Sequence, residues 1–290
     1  NRFDVVHVNG SADHRITLAA LRGISPRPRV VLTKHNTKPM RGPQHVWRAR
    51  WHTDKVIAVC EYVRRQLEST PYRVCHPQTV YNGVDTVHFQ PWPQDAAAAQ
   101  RRALGIADDA LLVGSNAGTA GYKGWTDLVA ALQLLSAAER ERIHVVLAGH
   151  PPSAAQQAVI DAAGLQAQFH FPGLLADVRP VIATFDAGFV LSHDVETISF
   201  ACREMMAMGK PVMVTDYAGL AENIHPGEDG WVVPVHGHAA MAATLRTMLE
   251  DRSHLLRMGA AARAHAAAEF GLERFVTATE AIYRELLSAS

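Results

Sequence analysis

Ten short runs of β-branched and aliphatic residues recur along the chain, and most are separated by a stretch of helical, amphipathic periodicity. They cover residues 4–8, 30–35, 56–60, 79–81, 110–114, 144–148, 168–171, 187–191, 211–215 and 230–234. A strand that is apolar on both faces must be covered on both faces, and a helix between successive strands makes them run parallel. The alternation therefore predicts a parallel α/β architecture with helices on both sides of the sheet. Helices are expected over 126–135, 154–163 and 199–208, and the chain from His238 onward reads as helical, punctuated by Gly259 and Gly271.

At roughly 150 residues per domain, 290 residues make two domains. Pro91 and Pro93 interrupt any element and place the boundary at 92/93. Residues 1–92 then form a first Rossmann-like domain, 93–269 a second, and 270–290 a terminal helix. The six strands of 110–234 make a complete Rossmann-like unit. The first domain holds only four, and the chain starts almost inside the first strand without a methionine, so its front part is expected to be missing. No run approaches the ~18 apolar residues of a membrane span, and no charged-then-apolar opening marks a signal peptide. With 48% hydrophobic and 19% charged residues, disorder and coiled coil are excluded. Three cysteines without a C-x-x-C pair favour a reducing compartment. Net charge is zero, yet residues 1–92 carry 14 Lys/Arg against 6 Asp/Glu, and the remainder 14 against 22. That asymmetry points to an anionic partner for the first domain, or to solubility patterning alone.

The strand over 187–191 leads through a short polar loop to a helix beginning near Ser199, a plausible N-cap. In parallel sheets ligands bind at such carboxyl-end loops, and free N–H groups at the helix start can hold a phosphate. Glu196 lies just before that helix and Glu204 over two turns inside it, so they are expected to touch different parts of one extended ligand. The run Gly114-x-x-x-Gly118-x-x-Gly121 is not G-x-G-x-x-G, and Lys123 is followed by Gly, so dinucleotide-binding and Walker readings are weak. Sixteen histidines form no H-E-x-x-H and no zinc spacing with cysteine, and no D-x-D pair occurs. Lys38, Arg41, Trp47, Arg48, Arg50 and Trp51 make the densest basic and aromatic cluster. Trp47 and Trp51, four apart, share a helix face that suits either a membrane interface with an amphiphilic acceptor or the domain core. No nucleic-acid module surrounds them.

Glu196 and Glu204 match the E-x7-E motif, and here the chain resembles the retaining, nucleotide-sugar-dependent glycosyltransferases of family 4, with the GT-B fold. Further blocks agree in order: Asp4-Val-Val-His-Val-Asn-Gly10, Val31-Leu-Thr-Lys-His35, Val56-Ile-Ala-Val-Cys-Glu61, Val80-Tyr-Asn-Gly-Val-Asp85, Tyr122-Lys-Gly-Trp125, Val146-Leu-Ala-Gly149, Phe171-Pro-Gly173 and Gly209-Lys-Pro-Val212. The resemblance implies two Rossmann-like domains facing a cleft, with donor on the second, acceptor on the first, and the terminal helix packed back on the first. Glu204 would then bind the ribose and Glu196 the donor sugar. The backbone of Thr197, Ile198, Ser199 and Phe200 would lie near sugar and phosphate. Lys123 would neutralise the departing diphosphate, Gly149 and Gly173 would frame the base, and His35 would approach the sugar.

The chain departs from the family pattern in two places. Thr197 and Ser199 stand where many members have glycine. No arginine lies about five residues before Lys123, where Gly118 falls instead, so diphosphate binding would rest on Lys123 and the backbone around Gly118 and Gly121. The resemblance implies sugar transfer from a nucleotide diphosphate sugar, UDP being the commonest, without a metal or other cofactor. The acceptor would be a glycan or lipid-linked hydroxyl in lipopolysaccharide or envelope synthesis. The chain would be cytoplasmic, with peripheral contact at the inner membrane face. A sugar-nucleotide epimerase of the same fold, sucrose- or trehalose-type synthesis, and a non-catalytic nucleotide-sugar binder are the alternatives.

Overall fold

The structure is a computed structural model that describes residues 3–288. Its strands are β1 (Val5–Val8), β2 (Arg29–Lys34), β3 (Lys55–Ala58), β4 (Gln78–Thr79), β5 (Leu111–Ser115), β6 (Ile143–Ala148), β7 (Phe169–Gly173), β8 (Ala187–Val190), β9 (Val212–Thr215) and β10 (Gly230–Val233). Each overlaps one of the ten apolar runs, and every ladder between named strands is parallel. The three interior helices expected from periodicity are Asp127–Gln133, Ala154–Ala163 and Phe200–Ala207. From His238 onward the chain forms helices His238–Glu250, Arg252–Glu269 and Leu272–Ser288.

The chain divides into two compact units, one running to Gly83 and taking in the segment from Leu272, the other Val84–Gly271. The break lies at 83/84, not at 92/93. Hydrogen bonds give the reason. Val84 N donates to Phe270 O at 2.8 Å, Arg263 Nη1 to Phe89 O at 3.0 Å and Arg179 Nη1 to His88 O at 3.3 Å, so residues 84–89 are fastened to the second unit before either proline is reached.

The first unit is a sheet in the order β1-β2-β3-β4. Helix Leu272–Ser288 buries Ile282 against Val31, Ile57 and Val80 of that sheet. Tyr283 Oη and His7 Nδ1 are hydrogen-bonded at 2.5 Å, and His7 Nε2 meets Thr33 Oγ1 at 2.6 Å. The terminal helix therefore closes the first unit through both apolar and polar contacts.

The second unit has the order β7-β6-β5-β8-β9-β10. Counted from its own first strand this is 3-2-1-4-5-6, the Rossmann order, and the direction of winding reverses between β5 and β8. Two glycines set the packing around that point. A Cβ on Gly114 of β5 would lie 2.1 Å from the Phe185 ring, and one on Gly188 of β8 would lie 2.5 Å from Met205 Sδ. Helix Phe200–Ala207 can therefore press directly onto β8, which sets where Glu204 lies.

Two outcomes follow from this packing. Phe185 is 2% exposed and has nowhere to go, so Gly114→Ala should destabilise the second unit by about 1–3 kcal/mol in urea unfolding. In the first unit His14 is buried against Thr53 Oγ1 at 3.1 Å, and burial, helped by the Arg48 charge, pushes its pKa down to about 4. The unfolded chain then binds a proton that the folded chain refuses. Stability of this unit should fall by up to roughly 3 kcal/mol between pH 6.5 and 4, as read by denaturation at each pH, and His14→Gln should flatten that slope.

Candidate functional site

Loops 116–125 and 191–199 leave the carboxyl ends of β5 and β8, on either side of the point where winding reverses. Both glutamates of the E-x7-E pair bond to the β5 loop, one at each of its ends. Asn116 Nδ2 donates to Glu204 Oε2 at 2.6 Å, and Lys123 Nζ to Glu196 Oε2 at 2.7 Å. Ser192 Oγ adds a bond to the same Glu196 oxygen at 3.3 Å. Ser199 caps helix Phe200–Ala207 by accepting from Cys202 N at 3.4 Å, as its type and position imply. Val195, just before Glu196, has φ +54°, an uncommon conformation for a β-branched residue and one that accumulates at functional loops.

The β5 loop is held from beneath. Its Thr119 carbonyl accepts from buried Trp125 Nε1 at 3.0 Å and from Gln156 Nε2 at 2.8 Å, while Thr119 Oγ1 donates to His150 O at 2.7 Å. Gln156 also receives Ser153 N at 2.8 Å, completing the capping box of helix Ala154–Ala163. Backbones pass closely at two points. Gly118 has φ +86°, and a Cβ on Gly149 would lie 2.8 Å from Gly118 Cα. A Cβ on Gly124 would lie 2.0 Å from Leu191 O. Gly149 N donates to Gly173 O at 3.0 Å, tying the β6 turn to the end of β7.

The β5 loop, the β6 turn around Gly149 and the segment around Leu174 and Val178 surround a cavity of about 770 Å³. It falls in the range of small-molecule and cofactor sites. Asn116 and Lys123 both line it. Buried Asn116 Oδ1 has no hydrogen-bond partner among the described residues, which leaves an acceptor for a ligand donor. Burial raises the Glu204 carboxyl above its ordinary pKa, opposed by the Asn116 bond. Lys123 also lies over the Tyr122 ring, 5.2 Å from its centroid.

Of the residues singled out from sequence, Gly118, Gly121, Lys123 and Gly149 line this cavity. Gly173, Glu196 and Glu204 are bonded to residues that do. Thr197, Ile198, Ser199 and Phe200 form the turn into the helix and are not among the lining residues; Ile198 and Ser199 are buried and Phe200 is 48% exposed. His35, Lys38, Arg41, Trp47, Arg48, Arg50 and Trp51 belong to the first unit. His35 follows β2, exposed, with Nε2 3.2 Å from Asn9 Oδ1. Trp47 and Trp51 sit on helix Pro43–Trp51 at 47% and 62% exposure, so the core reading fails for both. Lys38 and Arg41 line a pocket of about 100 Å³ together with Lys34. The Lys34 amine donates to Asn36 Oδ1 and Lys38 O, and burial, with the Lys38 charge, lowers its pKa to about 8. Sequence reading missed Asn116, Thr119, Gln156 and Lys34. Asn116 and Thr119 matter through partners far along the chain and Lys34 through burial, none of which leaves a local signal; the Ser153-x-x-Gln156 spacing signals a capping box but not the bond from Gln156 to Thr119.

The model of the family "Glycosyl transferases group 1" matches residues 97–265, and that of "Glycosyltransferase Family 4" matches residues 1–88. The chain belongs to the group 1 glycosyl transferases. This group 1 chain is 28% identical over 219 residues to a D-inositol 3-phosphate glycosyltransferase of Corynebacterium efficiens, covering 71% of this chain and 50% of that one. It is 26% identical over 232 residues to a GDP-mannose-dependent monoacylated alpha-(1-6)-phosphatidylinositol monomannoside mannosyltransferase of Corynebacterium glutamicum, covering 76% and 59%. The chain thus spans about half the length of the curated relatives it matches. Among solved structures, HepE of Anabaena in complex with UDP superposes with TM-score 0.85 at 22% identity, covering 99% of this chain and 79% of that one. A glycosyltransferase from Rickettsia africae does so with TM-score 0.85 at 19% identity, covering 99% and 78%. These likenesses show the GT-B fold of two Rossmann-like domains. No helix among the described residues is long and apolar enough to cross a membrane.

The cavity glycines separate by surroundings. Gly149→Ala meets backbone at 2.8 Å and a φ of +151°, whereas Gly121 has open space and no positive φ. Chemical denaturation should show a loss of about 1–3 kcal/mol for Gly149→Ala and a change within ~0.5 kcal/mol for Gly121→Ala.

Proposed function

We propose that this group 1 chain transfers a sugar, with retention of anomeric configuration, from a nucleoside diphosphate sugar to a hydroxyl of a phosphate-bearing glycan or lipid-linked acceptor. The observation that carries the reading is the pairing of Glu196 and Glu204 with the two ends of one glycine-rich loop, at the switch point of a Rossmann-ordered sheet and beside a cavity of about 770 Å³. UDP is the donor base we favour, a choice supported by the UDP named for HepE. The GDP-mannose named for the corynebacterial mannosyltransferase makes GDP the competing base.

In this reading the Glu204 carboxylate accepts hydrogen bonds from two vicinal ribose hydroxyls. Lys123 exchanges its bond to Glu196 for the diphosphate, and Glu196, released, accepts from the donor sugar's hydroxyls. As the bond from the anomeric carbon to the phosphate oxygen breaks, negative charge grows on the diphosphate, and Lys123 with the amides of the β5 loop stabilises it. The leaving phosphate oxygen takes the proton of the acceptor hydroxyl, which attacks the same face of the sugar. The catalytic charge stabilisation in this scheme calls on no metal. His35 is assigned to the donor sugar. Lys34, Lys38 and Arg41, with the surplus positive charge of residues 1–92, are assigned to an anionic acceptor. Trp47, Arg48, Arg50 and Trp51 are assigned to the headgroup region of a membrane that presents it, at the cytoplasmic face of a cell envelope.

A thermal-shift panel of UDP, GDP and ADP checks the donor site, since a ligand at about 100 times its Kd stabilises a fold by about 2.7 kcal/mol. One nucleotide should raise Tm, and Glu204→Gln should abolish the rise; equal silence from all three in the parent chain would sink the reading. Because Glu204 must be ionised to accept from both hydroxyls and burial raises its pKa, affinity for that nucleotide should weaken as pH falls, beginning above the ordinary carboxylate range. Lys123→Ala should lower kcat by roughly 10²–10³-fold with a smaller effect on donor affinity, and NMR of the product should show the donor's anomeric configuration.

A further inference from the structure

Three polar side chains from distant parts of the second unit converge at its surface, next to the turn that carries Lys123. Asp127 opens helix Asp127–Gln133, His238 opens helix His238–Glu250, and His236 sits in the turn between β10 and that helix. His236 Nδ1 is 2.9 Å from Asp127 Oδ2, and His238 Nε2 is 3.1 Å from Asp127 Oδ1. One ligand atom from each of the three lies within 4.8 Å of the others. We propose that Asp127, His236 and His238 form a binding site for a divalent transition-metal ion of the zinc class.

Chemistry and geometry agree on the class of ion. Zinc bonds to imidazole nitrogen and carboxylate oxygen of about 2.0–2.1 Å in a tetrahedron place neighbouring ligand atoms about 3.3 Å apart. Each imidazole nitrogen stands 2.9–3.1 Å from one of the two Asp127 oxygens, and one ligand atom from each residue lies within 4.8 Å of the others, so a modest rotation of the carboxylate brings three ligand atoms around one ion. Two imidazoles and one carboxylate suit zinc, nickel or cobalt; calcium and magnesium prefer all-oxygen sets. Three protein ligands leave the fourth position to water. The side chains of His236 and His238 are 56% and 39% exposed, so an ion enters directly from solvent, while Asp127 at 14% is held firmly enough to define the geometry. His236 has φ +56°, and this left-handed turn aims it and His238, two residues on, at the same carboxylate.

The ion would fasten a junction that matters to the neighbouring loop. Asp127 N donates to Gly124 O at 3.0 Å, and His193, whose ring centroid lies 4.9 Å from that of His236, donates its N to Tyr122 O at 3.0 Å. The ligands exclude Lys123, Glu196 and Glu204, so the inference does not depend on the transferase reading. A second cluster, His225, Asp229 and His265, serves as an internal control. Its Asp229 Oδ2 also meets two imidazoles, His265 Nδ1 at 2.6 Å and His225 Nδ1 at 3.5 Å, but the Asp229 and His265 side chains are 1% and 9% exposed and Asp229 Oδ1 already accepts His225 N at 2.7 Å, so the cluster lacks the open approach and the room for a water that the first one has.

The test is titration of chelator-treated, untagged protein with zinc alone by calorimetry, and with cobalt alone by visible absorption. One equivalent should bind, cobalt should develop the intense bands of a tetrahedral site, and excess zinc should raise Tm by about 5 °C. A His236→Ala/His238→Ala double variant should lose at least tenfold in affinity together with the Tm rise, as should Asp127→Asn. His225→Ala should leave both unchanged. The two histidine side chains are 56% and 39% exposed, so the double variant should keep its fold, which circular dichroism checks. No saturable equivalent up to millimolar metal, affinity unchanged in the double variant, or loss caused by His225→Ala would each overturn the assignment.

Discussion

Lys123 and Glu196 form an ion pair at 2.7 Å while Asn116 and Glu204 form a hydrogen bond at 2.6 Å, and the glycine-rich β5 loop is stretched between the two contacts. Everything else about the site depends on that double anchorage. A partly buried ion pair adds little net stability, because loss of water from both charges offsets their attraction. Its effect is geometric. It holds a cation that lines the cavity and a carboxylate beside it in fixed positions.

The anchorage works because β5 and β8 are neighbours at the point where winding reverses, so the loops leaving them meet through Lys123–Glu196 and His193 N–Tyr122 O, while the cavity opens on the other side of the β5 loop, toward the β6 turn and the residues after β7. Glycine then brings the remaining walls close. Gly188 lets Met205 sit on β8 and so sets the height of Glu204, and Gly118 and Gly149 allow two loop backbones to touch. The Thr119 carbonyl, shared by Trp125 and Gln156, links the loop to the hydrophobic core on one side and to a capped helix on the other. The loop is therefore a fixed part of the unit, with its curvature set by backbone contacts and by one indole.

Strand positions were legible because a parallel strand covered on both faces needs a continuous apolar run, and that need leaves its mark on adjacent residues. The Ser199 cap and the helix after it were legible for the same reason, since capping acts over three residues. The boundary between units was misplaced because prolines were the visible punctuation, whereas Val84, His88 and Phe89 are held by partners up to 186 residues away, at Phe270, Arg179 and Arg263. The exposure of Trp47 and Trp51 was equally open at the level of sequence, because a helix face does not state what it meets.

The sequence by itself determined the parallel α/β class and the ten strands, both set by short-range pattern, and its resemblance to family motifs singled out Glu196, Glu204 and Lys123 without saying what each would meet. Only the tertiary structure decided which of the three cavity glycines is sterically required, that Asn116 is the partner of Glu204, and that Asp127 meets His236 and His238. A glycine is needed where another backbone passes, and a carboxylate takes its partners from whatever the fold brings near. Both depend on distances through space between residues that sequence separation leaves undefined.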